Sequence, residues 1–347
     1  MKAAVPHYMQ DMQQAAAGHR FSLYFPIFSE KWEVETNKKG DELGKVSLQK
    51  DDERRTESLR ERQQAQALQL ANAVFSLPAI STAPFVTGMG YEHPVENGFA
   101  FLNPYGVPYL AGSSVKGVLR CAARELDLPK EEISELFGSA AEKGKQGALN
   151  FWDVFPKGQL TVEIMTPHHS EYFKSGSTTT PHDSETPIPI PFLSIAEGAS
   201  FSFHVQLIRE VDCDWQVKLQ ACFEHAFEWL GFGAKTSVGY GAMEEDLQAI
   251  ADMENVKEKA IEEKRLSVLT PFEKELEKIL TYPDNSVGDL MKGLEAGEWQ
   301  KGEKRIAAQH VKELLQKQKS WLESFSGKNK QKKKKHERTL KVMRFLS

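Results

Sequence analysis

Two glycine-punctuated stretches carry residues suited to gripping an anionic chain. The first reads Tyr109-Leu110-Ala111-Gly112-Ser113-Ser114-Val115-Lys116-Gly117-Val118-Leu119-Arg120. A glycine and two serines ahead of a periodic apolar run mark a tight turn opening a helix, with Ser113 or Ser114 as its cap. The free amides and positive dipole end of such a terminus attract anions. Lys116, Arg120 and Arg124 follow at four-residue spacing and share one helical face, so a phosphate strand would meet amides and then a row of positive charge. The same residues also describe a capped helix with a solvated basic face.

The second stretch is Gly231-Phe232-Gly233-Ala234-Lys235-Thr236-Ser237-Val238-Gly239-Tyr240-Gly241. Its glycines, with Lys235, Thr236 and Ser237 between them, predict a flexible loop of donors able to follow a phosphate backbone closely. It is not a Walker loop, because Ala234 stands where glycine must precede the lysine. It is not a dinucleotide fingerprint either, because Thr236 stands where a third glycine is needed. Gly231 also suits a plain helix C-cap.

A third feature, Glu163-Ile164-Met165-Thr166-Pro167-His168-His169-Ser170-Glu171-Tyr172-Phe173, ends a strand pattern. Adjacent His168 and His169 cannot chelate one ion as an i, i+4 helical pair does, and no HExxH or CxxC accompanies them, so no metal is expected. Histidines and aromatics on a loop suit base stacking or phosphate contact. The Ser/Thr/Gly-rich segment 174–186 reads as disordered until a partner or RNA arrives.

These residues need a scaffold. Phe201, Phe203, Val205 and Leu207 alternate with polar residues, as do Leu160, Val162 and Ile164, the period of half-buried antiparallel strands. Val115, Val118, Leu119, Ala122 and Leu126 form one helical stripe. Leu219, Cys222, Phe223, Ala226 and Leu230 form another. Strand, helix, strands, helix and a final short strand predict an α+β, ferredoxin-like core. It would span 67–245, after an N-terminal extension (1–66) that is polar and irregular apart from the aromatic cluster Phe21–Phe28 and a helix from Asp51. A helical region (246–326) and a basic tail (327–347) follow.

Of 347 residues, 40% are apolar and 27% charged, ordinary values for a globular chain. No apolar run approaches the roughly 18 residues of a membrane span, and the N-terminus lacks a secretory stretch, so a cytoplasmic protein is expected. Cys121, Cys213 and Cys222 are too few and scattered for a disulfide framework or a paired-cysteine metal site. Net charge is −5, an unpromising value for a nucleic-acid binder, but the charge is segregated. Gly327–Ser347 holds nine Lys/Arg against Glu337 alone, while acidic segments such as Glu254–Glu263 offset it in the total. The lysine run reads as solvated and disordered, or as an electrostatic arm for RNA. Leu340, Val342, Met343, Phe345 and Leu346 suggest that its end docks.

Taken together, the chain resembles the RAMP superfamily of CRISPR proteins, and more narrowly the family that supplies the sixth subunit of the type III-B (Cmr) effector. Tyr105–Arg120 is similar to the signature G-[IV]-P-Y-[IL]-x-G-S-S-[LV]-K-G-x-[LIV]-R. Phe85–Gly90 looks like the family's first core strand and its exit. Asp153–Phe155 and Glu163–Phe173 resemble its next strand pair and T/N-P-H turn, and Gly231–Gly241 its C-terminal glycine loop. The resemblance covers about residues 70–243. It implies an RRM-like core that holds the 3′ portion of a guide RNA and its target duplex through Gly112, Ser113, Ser114, Lys116, Gly117, Arg120, Arg124, His168, His169, Gly231, Phe232, Gly233, Ala234, Lys235, Thr236 and Gly239. It also implies neighbours within the complex (the backbone RAMP, the small helical subunit and a terminal RAMP), no cofactor and no catalysis. The alternative is a metal-independent guide-processing endoribonuclease using His93, His168 or His169 as general acid/base. Metal-dependent cleavage at Asp153 or Glu92 is a weaker one.

Overall fold

In the computed structural model, residues 1–9, 12–139, 144–174, 176, 178, 180–182, 187–281, 283–297 and 299–346 are described. Two units emerge, Met1–Asn255 and Val256–Ser347.

The first unit opens with short helices α1 (Ala17–Ser22) and α2 (Lys39–Leu43) and a long helix α3 (Lys50–Leu70). Strands β1 (Val74–Ser81), β2 (Phe101–Leu102) and β3 (Val107–Pro108) lead to helices α4 (Gly112–Glu125) and α5 (Lys130–Phe137). Then come β4 (Leu149–Phe151), β5 (Leu160–Met165), the short α6 (Ser170–Lys174), β6 (Ile190–Ile195), β7 (Ser200–Leu207), α7 (Trp215–His225) and β8 (Met243–Glu245). The main sheet runs β4-β7-β1-β8, antiparallel throughout, with α4 connecting β1 to β4 and α7 connecting β7 to β8. That is the β-α-β-β-α-β order of a ferredoxin-like core. The fold is α+β with helical extensions, as the alternation of periods predicts. Strands β5 and β6 form a separate hairpin inserted between β4 and β7.

Register explains the core. Phe75, Leu77 and Ala79 of β1 stand opposite Val205, Phe203 and Phe201 of β7. The Phe203 ring lies 5.1 Å from Phe223 of α7 and 5.0 Å from Phe232 beyond it. Val115, Leu119, Ala122 and Ala123 of α4 complete this apolar layer. The polar alternates face the other way, where the Ser76 hydroxyl pairs with His204 Nδ1 at 2.8 Å. Helix α3 lies on that side: Arg60 donates to the carbonyls of Phe155 (2.9 Å) and Ser200 (3.0 Å), and Gln63 to that of Asp153 (2.8 Å). Beside α3, a groove of about 460 Å³ remains, lined by Arg62, Gln63, Tyr105, Asn150, Trp152 and Gln206 among others.

Several expectations change. The first core strand is β1, upstream of Phe85–Gly90. Pro78 near its middle disguises it, since proline is rare inside central strands. Phe85 instead bridges Ile195. The N-terminal extension is not a loose polar segment, because Phe21, Phe25 and Ile27 are buried in the main core. Asp52, fully buried, accepts bonds from the amides of Ala17 (3.3 Å) and Gln49 (2.9 Å) and from Arg55 (2.6 Å), which joins the start of α3 to the segment before it.

Downstream of β8 runs α8 (Leu247–Val268), which buries no residue. The second unit contains α9 (Pro271–Leu280), α10 (Pro283–Ala296), α11 (Lys301–Lys317) and α12 (Lys330–Leu346). Thr270 and Glu273 cap α9 reciprocally, with Pro271 in its first turn. Leu290, Leu294, Ala307, Val311, Leu315 and Val342 form this unit's own core. The lysine run expected to be a disordered tail is helical, and the apolar end of α12 packs into that core.

Phe203→Ala should destabilise the first unit by about 3–5 kcal/mol, read as a lower urea midpoint, because it empties the centre of the ring cluster. Burial, with Arg60 nearby, pushes His204 down to about 4. The unfolded chain then takes up a proton below about pH 6.5 that the folded chain refuses. Stability should be fully present above pH 6.5 and decline as pH falls from there towards 4. Urea midpoints at pH 7 and 5 test this: His204→Gln should flatten the decline, and an unchanged pH dependence would refute it.

Candidate nucleic-acid interface

Helix α4 does not begin as its serines suggest. Its N-cap is Ala111, with no side-chain cap, and Ser113 and Ser114 lie exposed inside the first turn. The Gly112 amide donates instead to Asp153 Oδ1 at 2.8 Å. A carboxylate therefore already stands where a phosphate was expected, and it satisfies both an orphan donor and the helix dipole. Nor is Gly112 there for a turn. A Cβ on it would come within 2.1 Å of the Phe151 carbonyl oxygen, so glycine is required by the close approach of α4 to β4. Gly112 is buried and its amide is taken, which removes it from the contact surface.

The cationic row survives this correction. Lys116, Arg120 and Arg124 form no ion pair among the described residues, and the buried Arg120 Nε has no acceptor. The opposite stripe of α4 is buried on the core, and Glu125 at its end pairs with His225 of α7 at 2.7 Å. Gly117 is exposed, with nothing within 4 Å of where a side chain would begin.

The loop 231–241 is not the flexible coil its glycines suggest. It follows α7 and a π-helical turn, Ala226–Leu230, and Gly231 (φ +68°) ends that turn as a C-cap, its amide donating to Ala226 at 2.8 Å. Phe232 is fully buried in the ring cluster and is a core residue, not a surface contact. Its amide donates to Gly241 (2.9 Å), that of Ala234 to Val86 (2.8 Å), and that of Gly241 to Pro84 (2.9 Å). A Cβ on Gly241 would sit 1.9 Å from the Phe232 carbonyl oxygen at φ +72°, so no other residue fits there.

Lys235 adopts the left-handed conformation (φ +61°) and leads into a 3₁₀ turn, Thr236–Val238, before the exposed Gly239. The amides of Lys235, Thr236 and Ser237 have no acceptor among the described residues. Consecutive free amides in a left-handed-to-helical turn make a concavity suited to anions.

This loop meets the β5–β6 hairpin. Lys235 Nζ lies 3.6 Å from Met165 Sδ and 5.6 Å from the Phe192 ring centre. The Tyr240 hydroxyl reaches Glu163 at 3.4 Å, and burial, then this carboxylate, raises its pKa. The glycine loop and the strand that ends at the histidine turn are thus brought together, whereas among the described residues no hydrogen bond or ion pair links the α4 row to either. His169 holds a left-handed backbone (φ +59°), and its buried Nδ1 has no hydrogen-bond partner among the described residues. The His168 ring lies 6.3 Å from it. In the segment 174–186 that reads as disordered, positions 175, 177, 179 and 183–186 lie outside the described residues.

His93 is a packing residue. It stacks on Phe21 at 3.9 Å, bonds the Phe21 carbonyl at 2.9 Å, and burial lowers its pKa. Among the described residues, no group of three His, Cys, Asp or Glu is placed to hold a metal ion, and no helix is long and apolar enough to cross a membrane.

Comparison with known proteins finds partial similarities. The family model described as the RAMP superfamily matches residues 81–244, a span that includes α4, both hairpin strands and the glycine loop. The CRISPR system Cmr subunit Cmr6 of Pyrococcus furiosus is 26% identical, over 46% of this chain and 64% of that one, so the match spans somewhat less than two thirds of that relative. Two solved structures are similar in part. A chain of the type III-B Cmr-beta complex bound to cognate target RNA gives a TM-score of 0.49 at 21% identity, covering 62% of this chain and 72% of its own. Crystalline Cmr6 from Pyrococcus furiosus gives 0.32 at 24% identity, covering 50% and 97%. The match to the RAMP superfamily model is thus confined to residues 81–244, a little less than half of the chain.

Proposed function

We propose that this chain is a non-catalytic, RNA-binding subunit of a type III-B CRISPR effector, acting in antiviral RNA interference. In this reading it holds the 3′ portion of the guide RNA and its duplex with target RNA beside the other Cmr subunits: the backbone RAMP, the small helical subunit and a terminal RAMP. The similarity to Cmr6 supports the choice of complex. The observation that carries RNA binding is the pinned loop, which leaves the amides of Lys235, Thr236 and Ser237 without acceptors in a rigid frame. Phosphate oxygens would supply those acceptors, and Lys235 the countercharge. Lys116, Arg120 and Arg124 add a second cationic surface. Such contacts read backbone and not base, so any guide sequence would serve.

The non-catalytic part of the reading rests on the histidines. General acid/base cleavage needs a second proton-transfer group within hydrogen-bond reach. His93 and His204 are packed into the fold, bonded to a carbonyl and a hydroxyl respectively. His168 and His169 have no carboxylate partner among the described residues.

Lys235→Ala should weaken binding of the full chain to guide-length single-stranded RNA by about tenfold, roughly 1.4 kcal/mol. Lys116→Ala with Arg120→Ala should weaken it further and lower the slope of log affinity against log salt by about 0.7 per lost contact. Unchanged affinity and slope in both variants would overturn the reading. In EDTA, a labelled repeat RNA should remain intact. Cleavage that disappears with His168→Ala or His169→Ala would instead establish a processing nuclease.

A further inference from the structure

Helix α12 breaks the local electrostatic rules of helices. Its first turn contains no acidic residue and lies beside the positive end of the helix dipole, where cations are unfavourable. Lys330, Lys332, Lys333, Lys334 and Lys335 are all exposed there. The pairs 330/333, 330/334 and 332/335 are neighbours on the helix surface, so their charges repel. Asn329 offsets part of this, capping the amides of Gln331 (3.0 Å) and Lys332 (3.2 Å). Further along, Lys341 pairs with Glu295 at 2.7 Å and Lys335 donates to the Lys319 carbonyl at 3.2 Å. Lys330, Lys332, Lys333, Lys334 and Arg338 have no acidic partner among the described residues.

The helix is nevertheless held in place. Thr339 and Val342 are fully buried, Thr339 accepts a bond from the Leu322 amide at 3.0 Å, and Phe345 and Leu346 pack on the unit's core. The apolar face of α12 is thus consumed internally, while its amino-terminal half presents five lysines with Glu337, one turn beyond Lys333 and Lys334, as the single acid within the helix. A segment whose own charges oppose its folded form, yet which is anchored in that form, has the character of a binding site.

We infer that the amino-terminal half of α12 is a second RNA-binding surface, taking the phosphodiester backbone of a single strand without regard to sequence. A polyphosphate quenches the repulsion among the lysines, so binding and helix stability are coupled. A lipid surface fits less well, because an interfacial helix inserts an apolar face and that of α12 is already buried. An acidic protein fits less well too, since Leu340 is the one large exposed hydrophobic among the described residues of α12, and interface cores are built on apolar and aromatic anchors. The inference shares its ligand class with the function proposed above but uses none of the same residues.

The test compares the full chain with a Lys332→Gln, Lys333→Gln, Lys334→Gln variant, titrated with single-stranded RNA of mixed sequence at several salt concentrations. Loss of three phosphate contacts should lower the salt slope by about 2. The variant's thermal midpoint should stay level or rise, which separates lost contact from lost fold. Hydrogen exchange of α12 amides in the parent chain should slow when RNA is added. An unchanged slope, or binding by anionic phospholipid vesicles with no change in slope, overturns the inference. Combining this variant with Lys116→Ala and Arg120→Ala keeps the two claims apart. If only the α12 changes matter, the first surface fails. If only the α4 changes matter, this one does.

Discussion

A single buried ring sets the shape of the loop between Gly231 and Gly241. Phe232 sits among Phe203, Phe223 and Phe227, and its amide closes onto Gly241. With that ring fixed, the amides of Ala234 and Gly241 reach the Pro84–Val86 segment and are satisfied. Buried backbone donors must be paired, so those that remain unpaired are informative. Among the described residues they are Gly233 and the consecutive run Lys235–Ser237, the latter lying between the pinned amides of Ala234 and Gly241. The candidate site is what remains once the core has claimed its share of the backbone.

Charge placement follows the same economy. Asp153 sits at the start of α4 and satisfies the terminus, so any attraction of that helix for RNA must come from its lysine and arginine row. Glu163 holds the Tyr240 hydroxyl and leaves the Lys235 ammonium in contact with sulfur and an aromatic face, not with a carboxylate. Acidic groups are used to fix positions, and the cations beside them stay uncompensated. A net charge of −5 is therefore compatible with local surfaces of the opposite sign.

Much of this was legible in the residues. Two helical stripes and the alternation of β7 lead to the ferredoxin-like core, and the glycine spacing located the loop. Three features hid. Pro78 masked β1, because a proline in a central strand violates the usual rule. Ser113 and Ser114 imitated a cap that belongs to Asp153, some forty residues away, and only long-range folding brings the two together. Phe232 looked like part of a surface loop because glycines surround it, although an aromatic ring among glycines serves equally well as an anchor. Asp52 was invisible for a similar reason: a buried carboxylate in a charged stretch resembles its solvated neighbours.

Helix α3 has a consequence of its own. Arg60 and Gln63 fasten it across carbonyls of the sheet's outer side, and His204, the polar residue at the middle of that side, is 6% exposed. In an isolated RRM that side would be the aromatic platform on which unpaired bases lie flat. This chain has roofed over much of the platform with its own N-terminal segment and left a groove at the β4 edge. On this face, then, a single strand would meet the polar flank of α3 in place of exposed rings.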